Sequence, residues 1–189
     1  MLPKAEAIRL LKRHIKSAEI RKHSVAVSEL MGEIARRFKM NPEEWQLCGL
    51  LHDLDCEKIQ GDMSKHGLVA AELLESLLSR DCLHAIRAHD HRTGVTPRSI
   101  MDKALIASDA VTTFFSELVE REQTGQITEL DSKTFPKVFE DKPLRKLGHL
   151  RKRIEICREI GIPLDEFLGL AREAFEKKNS SSAERAGGT

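Results

Sequence analysis

The chain has no tyrosine and a single tryptophan, and its aromatic residues amount to 4% of 189. That is too few for a platform on which successive bases stack, so a single-strand nucleic-acid binder is not expected. Neither charge dominates: 31 Lys and Arg stand against 30 Asp and Glu, a formal net charge of +1. Overall charge therefore points to no nucleic-acid polymer and no membrane surface as partner. No apolar run approaches the roughly 18 residues of a membrane span. Charged residues interrupt the N-terminus from Lys4 onward, unlike a signal peptide, so a soluble, cytoplasmic protein is expected. The four cysteines, Cys48, Cys56, Cys82 and Cys157, form no C-x-x-C pair. A chain of this length does not depend on disulfide staples, and reduced thiols are expected. Also missing are the G-x-x-x-x-G-K-[ST] phosphate loop, the G-x-S-x-G elbow and the G-x-G-x-x-G fingerprint, and with them three common nucleotide-binding or nucleophilic designs.

What remains is enough for a core. Apolar residues make up 40%, with 11 glycines besides, as in a globular domain. No stretch alternates with period two, whereas helical spacing recurs along almost the whole length. An all-α fold follows. Helices are expected from Pro3 to about Ser17, Glu19 to Phe38, Asn41 to Leu54, Ser64 to Leu78, Asp81 to His89, and from Thr96-Pro97 to about Glu120. Asn41-Pro42-Glu43-Glu44 reads as an N-cap, a proline in the first turn and acids facing the helix dipole. A polar connector, Gln123 to Asp131, divides a core over residues 1–122 from a C-terminal helical extension over 123–178. In that extension Gly161-Ile162-Pro163 breaks the last two helices, and its amphipathic face suits packing on the core or a homodimer contact. Residues 179–189 carry little to bury and are expected to be a disordered tail.

The histidines are unevenly placed. Seven of eight, His14, His23, His52, His66, His84, His89 and His91, lie in the first half, and only His149 lies later. His52-Asp53 closes the apolar stretch LCGLLHDLD, where a charge is costly unless it has a partner. His23 falls on the apolar stripe of the second helix, three after Ile20 and four before Val27. Asp109 falls on an apolar face with Leu105 and Ile106, and buried aspartates are rare unless paired. His89 continues the stripe of Cys82, Ala85 and Ile86, while His84 sits half a turn away. Each has an ordinary structural explanation by itself: a core histidine on a backbone carbonyl, an aspartate on a basic side chain, a polar pair at a helix end. Several helices all turning imidazole or carboxylate inward make a shared ligand the simpler account, and this donor set suits Mn, Fe, Ni or Zn.

In the order His23, His52-Asp53, Asp109, the sequence resembles the HD superfamily of metal-dependent phosphohydrolases over about residues 19–120. His66 in KHG and His89 in AIRAHDH resemble the two additional histidines of its two-metal subgroup; His91 in HRTG fits that pattern as well, and the stripe favours His89. The resemblance implies that His23, His52, Asp53 and Asp109 hold one ion, that Asp53 bridges as the central catalytic carboxylate, and that His66 and His89 complete a second. It implies a cofactor of one or two divalent ions, Mn, Fe, Ni or Co, with Mg or Zn as alternatives. The substrate implied is a small phosphoester, a nucleotide or dinucleotide, attacked by a metal-activated water. Two other readings use the same residues: a di-iron oxygenase, and a non-catalytic sensing module. The glycine-tyrosine-proline output motif of one HD branch is absent, since the chain has no tyrosine. Lys58, Lys65, Arg87, Arg92, Arg98 and Lys103 lie between the ligand segments but read as solvated surface; Asp55 and Glu57 after the HD pair read either as groups supporting the ligands from behind or as ordinary loop acids, the latter being preferred.

Overall fold

The computed structural model describes residues 2–122, 130–140 and 145–186. Among these the chain is all-α, with no strand. In order come α1 (Lys4–His14), α2 (Ala18–Arg37), α3 (Pro42–Leu51), α4 (Leu68–Leu73), α5 (Arg80–Ala88), α6 (Ile100–Glu122), α7 (Phe135–Val138), α8 (Gly148–Glu155) and α9 (Leu164–Ala186), with short 3-10 turns between several of them. None is long and apolar enough to cross a membrane.

The helix starts follow local chemistry. Asn41 Oδ1 accepts from the backbone N–H of Glu43 and Glu44, with Pro42 in the first turn of α3, as its sequence predicts. Glu57, read as surface, is exposed but accepts from the N–H groups of Lys16 and Ser17 at the entry to α2. Two expected boundaries move. The helix foreseen at Ser64–Leu78 is a 3-10 turn at Met63–Lys65 followed by α4 from Leu68. Between them Gly67 takes φ +82°, which interrupts a right-handed helix. The sixth helix begins at Ile100, after Thr96-Pro97: Ser99 Oγ accepts from Asp102 N–H while Asp102 Oδ2 accepts from Ser99 N–H, a reciprocal cap that fixes the first turn there.

A continuous core runs from Leu2 to Phe175 and joins the last helices to the first. Although aromatics are scarce, they concentrate where the extension meets α6. Phe114 stacks on Phe139 at 5.0 Å between ring centroids and meets Phe135 edge-on at 5.6 Å. Arg37, at the end of α2, pairs with Glu166 of α9 and donates to the Gly161 carbonyl. The connector expected at Gln123–Asp131 lies mostly outside the described residues. The segment read as a disordered tail is helical in its backbone as far as Ala186, in keeping with its freedom from glycine and proline up to that point; residues 187–189 are outside the described range.

α2 and α3 pack closely enough that a Cβ on Gly49 would stand 2.9 Å from Ser28 Cα and 3.0 Å from the Val27 carbonyl carbon. Only glycine permits that approach. It brings the face of α2 one turn before Val27 against the residues just past Gly49, and those are His23 and His52.

Candidate metal centre

The six sequence-selected residues come from five parts of the chain and meet. His52 and Asp53 lie at the C-terminal end of α3, with His52 still in helical backbone conformation. Successive helical residues diverge by about 100°, and here both turn toward the same space because Asp53 begins the departure from the helix. His52 Nε2 is 3.1 Å from Asp53 Oδ1, and His23 Nε2 is 3.1 Å from Asp109 Oδ1 and 3.7 Å from Asp53 Oδ2. From the other side His66 Nε2 approaches Asp53 Oδ1 at 3.2 Å and His89 Nε2 at 3.6 Å. Three groups of donor atoms result, His23 with His52 and Asp109, Asp53 with His52 and His89, and Asp53 with His66 and Cys56, so that Asp53 joins the two sides. His91 points away, with a side chain 85% exposed, and His84 sits beside Asp102 instead.

Gly67 permits the second group to form. A Cβ there would lie 2.3 Å from the Ile86 carbonyl oxygen and 3.1 Å from the His89 ring. The Lys65-His66-Gly67 stretch can therefore press against the end of α5 only with glycine at that place.

Which ring nitrogen faces inward is decided by the outer one. His52 Nδ1 donates to the Gly49 carbonyl at 2.8 Å, and His89 Nδ1 to the Ile86 carbonyl at 2.6 Å. His66 Nδ1 donates to Asp55 Oδ1 at 2.9 Å. The two carbonyls and the Asp55 carboxylate only accept, so each Nδ1 carries a proton and each Nε2 is the atom that faces the cluster, able to ligate once it is free of a proton of its own, the arrangement of a metal-ligating histidine. His52 Nε2 is fully buried and has no hydrogen-bond partner, a costly condition for a polar atom that nothing else binds. His66 Nε2 and His89 Nε2 lie 3.0 Å apart. Two lone pairs at that distance repel unless a positive charge, a proton or a metal ion, lies between them. Two nitrogens bound at about 2.1 Å and at right angles on one ion would be separated by about 3.0 Å. The donor set fits a divalent cation.

Electrostatics agree. Burial would raise the pKa of Asp53, yet His52, His66 and His89 around it hold it well below the carboxylate range. Burial is likewise outweighed at Asp109, by His23, His52 and Arg153. At His66, burial disfavours the imidazolium but Asp53 and Asp55 outweigh it, and its pKa is pushed up to about 12. A histidine that holds its proton so strongly marks a place where positive charge is favoured.

Two contributors differ from the sequence reading. Asp55 is not a loop acid: it is fully buried, and besides His66 it accepts from Gly67 N–H at 2.8 Å and Ala70 N–H at 2.9 Å through Oδ2. The alternation Asp53-Leu54-Asp55 that continues the HD pair was the available signal. Arg153, from α8, donates to Asp109 Oδ2 at 2.6 Å and to the His89 carbonyl at 3.2 Å. It leaves Asp109 Oδ1 turned inward, and nothing in its local sequence distinguishes it from neighbouring cations.

A sequence profile of the HD domain matches residues 20–124, more than half of the chain. The chain belongs to the HD domain family. Membership carries divalent-metal binding and metal-dependent phosphohydrolase chemistry at the level of the superfamily. Among solved structures the HD chain is similar to a predicted HD superfamily hydrolase involved in NAD metabolism from Clostridium acetobutylicum, with 19% identity, a TM-score of 0.49, and coverage of 94% of this chain and 99% of that one. No curated protein matches it. Arg153 and the rest of α8 lie beyond the matched HD span.

Proposed function

We propose that this HD protein hydrolyses a small phosphoester of the nucleotide or dinucleotide kind, with His23, His52, Asp53 and Asp109 holding one divalent ion and Asp53, His66 and His89 a second. The observation that carries this reading is the set of three imidazole Nε2 atoms, of His52, His66 and His89, gathered on one carboxylate while each Nδ1–H is tied off outside. Bound Mn, Fe, Ni or Co would supply a hydroxide at neutral pH and positive charge for the phosphoryl oxygens. The protein's own part is to hold the ligands before substrate arrives. Gly49 and Ile86 fix two rings through their carbonyls, Asp55 fixes the third, and Arg153 orients Asp109. No side-chain nucleophile is needed. Cys56, nearest to the cluster, has its thiol pushed up by burial to about 11, so it stays protonated and a poor nucleophile at neutral pH.

The test is elemental analysis of the purified protein, followed by a phosphoester and nucleotide screen with each metal. Bound Mn, Fe, Ni or Co and phosphate release are expected. Asp53→Ala should abolish that release while the far-UV circular dichroism is retained. Full turnover by Asp53→Ala, or by protein stripped of metal, would end the proposal, and oxygen uptake by iron-loaded protein without phosphate release would move it to oxidation.

A further inference from the structure

A cleft of about 840 Å³ opens beside the metal centre, with His89 and Arg153 in its wall. It lies between α8 and the segment that follows α5, so the helix that steadies Asp109 also forms one side of the adjoining space. A cleft of this size has room for a ligand of nucleotide dimensions, far more than one phosphate needs.

Its lining is strongly biased in charge. Arg92, Lys152 and Arg153 all face it, and no Asp or Glu is among its lining residues, in a chain where acids and bases are nearly equal in number. The three cations are not equivalent. Arg92 is held by Asp90, with Nε 2.8 Å from Oδ1, and Arg153 is held by Asp109. Lys152 is exposed and has no acidic partner among the described residues. Val95, Ile106 and Ile156 supply apolar surface to the same lining.

Resting on the hydrolase reading above, we propose that this cleft receives the non-scissile part of the substrate, that this part carries a second anionic group on an apolar body, and that Lys152 is the residue that selects for the second charge. A free ammonium at the rim gains an ion pair only from a ligand long enough to reach past the metal centre. Arg92 and Arg153 already have carboxylate partners and add background potential. α8, outside the HD span, thereby sets the preference of this particular chain.

The test uses the full chain in EDTA, so that the cleft is read without metal, and isothermal titration with ADP and with AMP as probes. ADP should bind at least about fivefold tighter than AMP, because its terminal phosphate can reach Lys152. Lys152→Glu should weaken ADP at least about tenfold and remove its advantage over AMP, while Lys152→Arg stays within about threefold of the natural protein. Equal affinities for the two probes, no ADP binding up to about 5 mM, or ADP affinity unchanged in Lys152→Glu overturns the proposal. The two readings fail separately. Charge-selective binding in a protein that hydrolyses no phosphoester with any metal leaves the cleft assignment standing and removes the hydrolase. Phosphoester hydrolysis without ADP selectivity does the reverse.

Discussion

Replacing Asp55 by asparagine changes one charge and a hydrogen-bond polarity while keeping the shape of the side chain. In the natural protein Oδ1 accepts the His66 Nδ1 proton, and Oδ2 accepts from Gly67 and Ala70. If the amide oxygen of the substituted side chain keeps the two backbone donors, its NH2 group faces His66 Nδ1, and two donors cannot share a hydrogen. The neutral imidazole that a metal ion requires must then carry its proton on Nε2, which places an N–H where the ion needs a lone pair. Loss of such an orienting partner costs about tenfold to a hundredfold in metal affinity, about 1.4–2.7 kcal/mol. The fold should survive, because weakening these hydrogen bonds to a charged acceptor costs about 1–2 kcal/mol, or roughly 2–8 °C in Tm at this size. Asp55→Ala is the harsher change, since three buried N–H groups, those of Gly67, Ala70 and the His66 ring, lose their acceptor at about 1–3 kcal/mol each. Metal titration followed by elemental analysis gives affinity and stoichiometry, and nitrogen-15 histidine spectra give the tautomer. An Asp55→Asn protein that binds metal as tightly as the natural one, or keeps the His66 proton on Nδ1, would refute the reasoning.

Two further outcomes follow from the geometry. Gly49→Ala places a Cβ within about 3 Å of α2 backbone, so the helices must part at about 1–3 kcal/mol, less about 1 kcal/mol of gained helix propensity; thermal unfolding should show a lower Tm and dialysis a weaker hold on metal through displaced His23, and no change in either counts against the packing argument. Because the His66 pKa is raised from 6.5 to about 12, its stabilisation of the metal-free protein is complete below about pH 6.5 and is lost as pH rises toward 12. An ion at Nε2 must displace that proton, so calorimetric metal titrations at pH 7 should show release of about one proton and affinity rising about tenfold per pH unit; heats that do not depend on the buffer's ionisation enthalpy would contradict this.

The readable parts of the fold and site are those that depend on spacing within one helix. His23 on the stripe of α2, Asp109 on that of α6 and His89 in line with Cys82 and Ile86 could all be placed by counting turns, and the structure puts all three at the cluster. The same counting failed where the backbone leaves the helical path. The positive φ of Gly67 split the expected fourth helix, and the Ser99–Asp102 cap moved the start of α6 past Pro97. Asp55 was passed over for a related reason. It lies in the turns after α3, where no periodicity tells a buried carboxylate from a solvated one, and its partners are His66, Gly67 and Ala70 further along the chain.

By itself, the sequence determined that the chain is helical, that His23, His89 and Asp109 fall on inward faces, and that HD follows an apolar helix, because each of these rests on side chains within a few residues of one another. Tertiary structure decided which nitrogen of each histidine faces the centre, that Asp55 orients His66, and that Arg153 of α8 reaches Asp109 across 44 residues. Those relations depend on how closely α2 approaches α3 at Gly49 and how closely Gly67 approaches α5. Distances of that kind are set when whole helices pack and have no counterpart in local spacing.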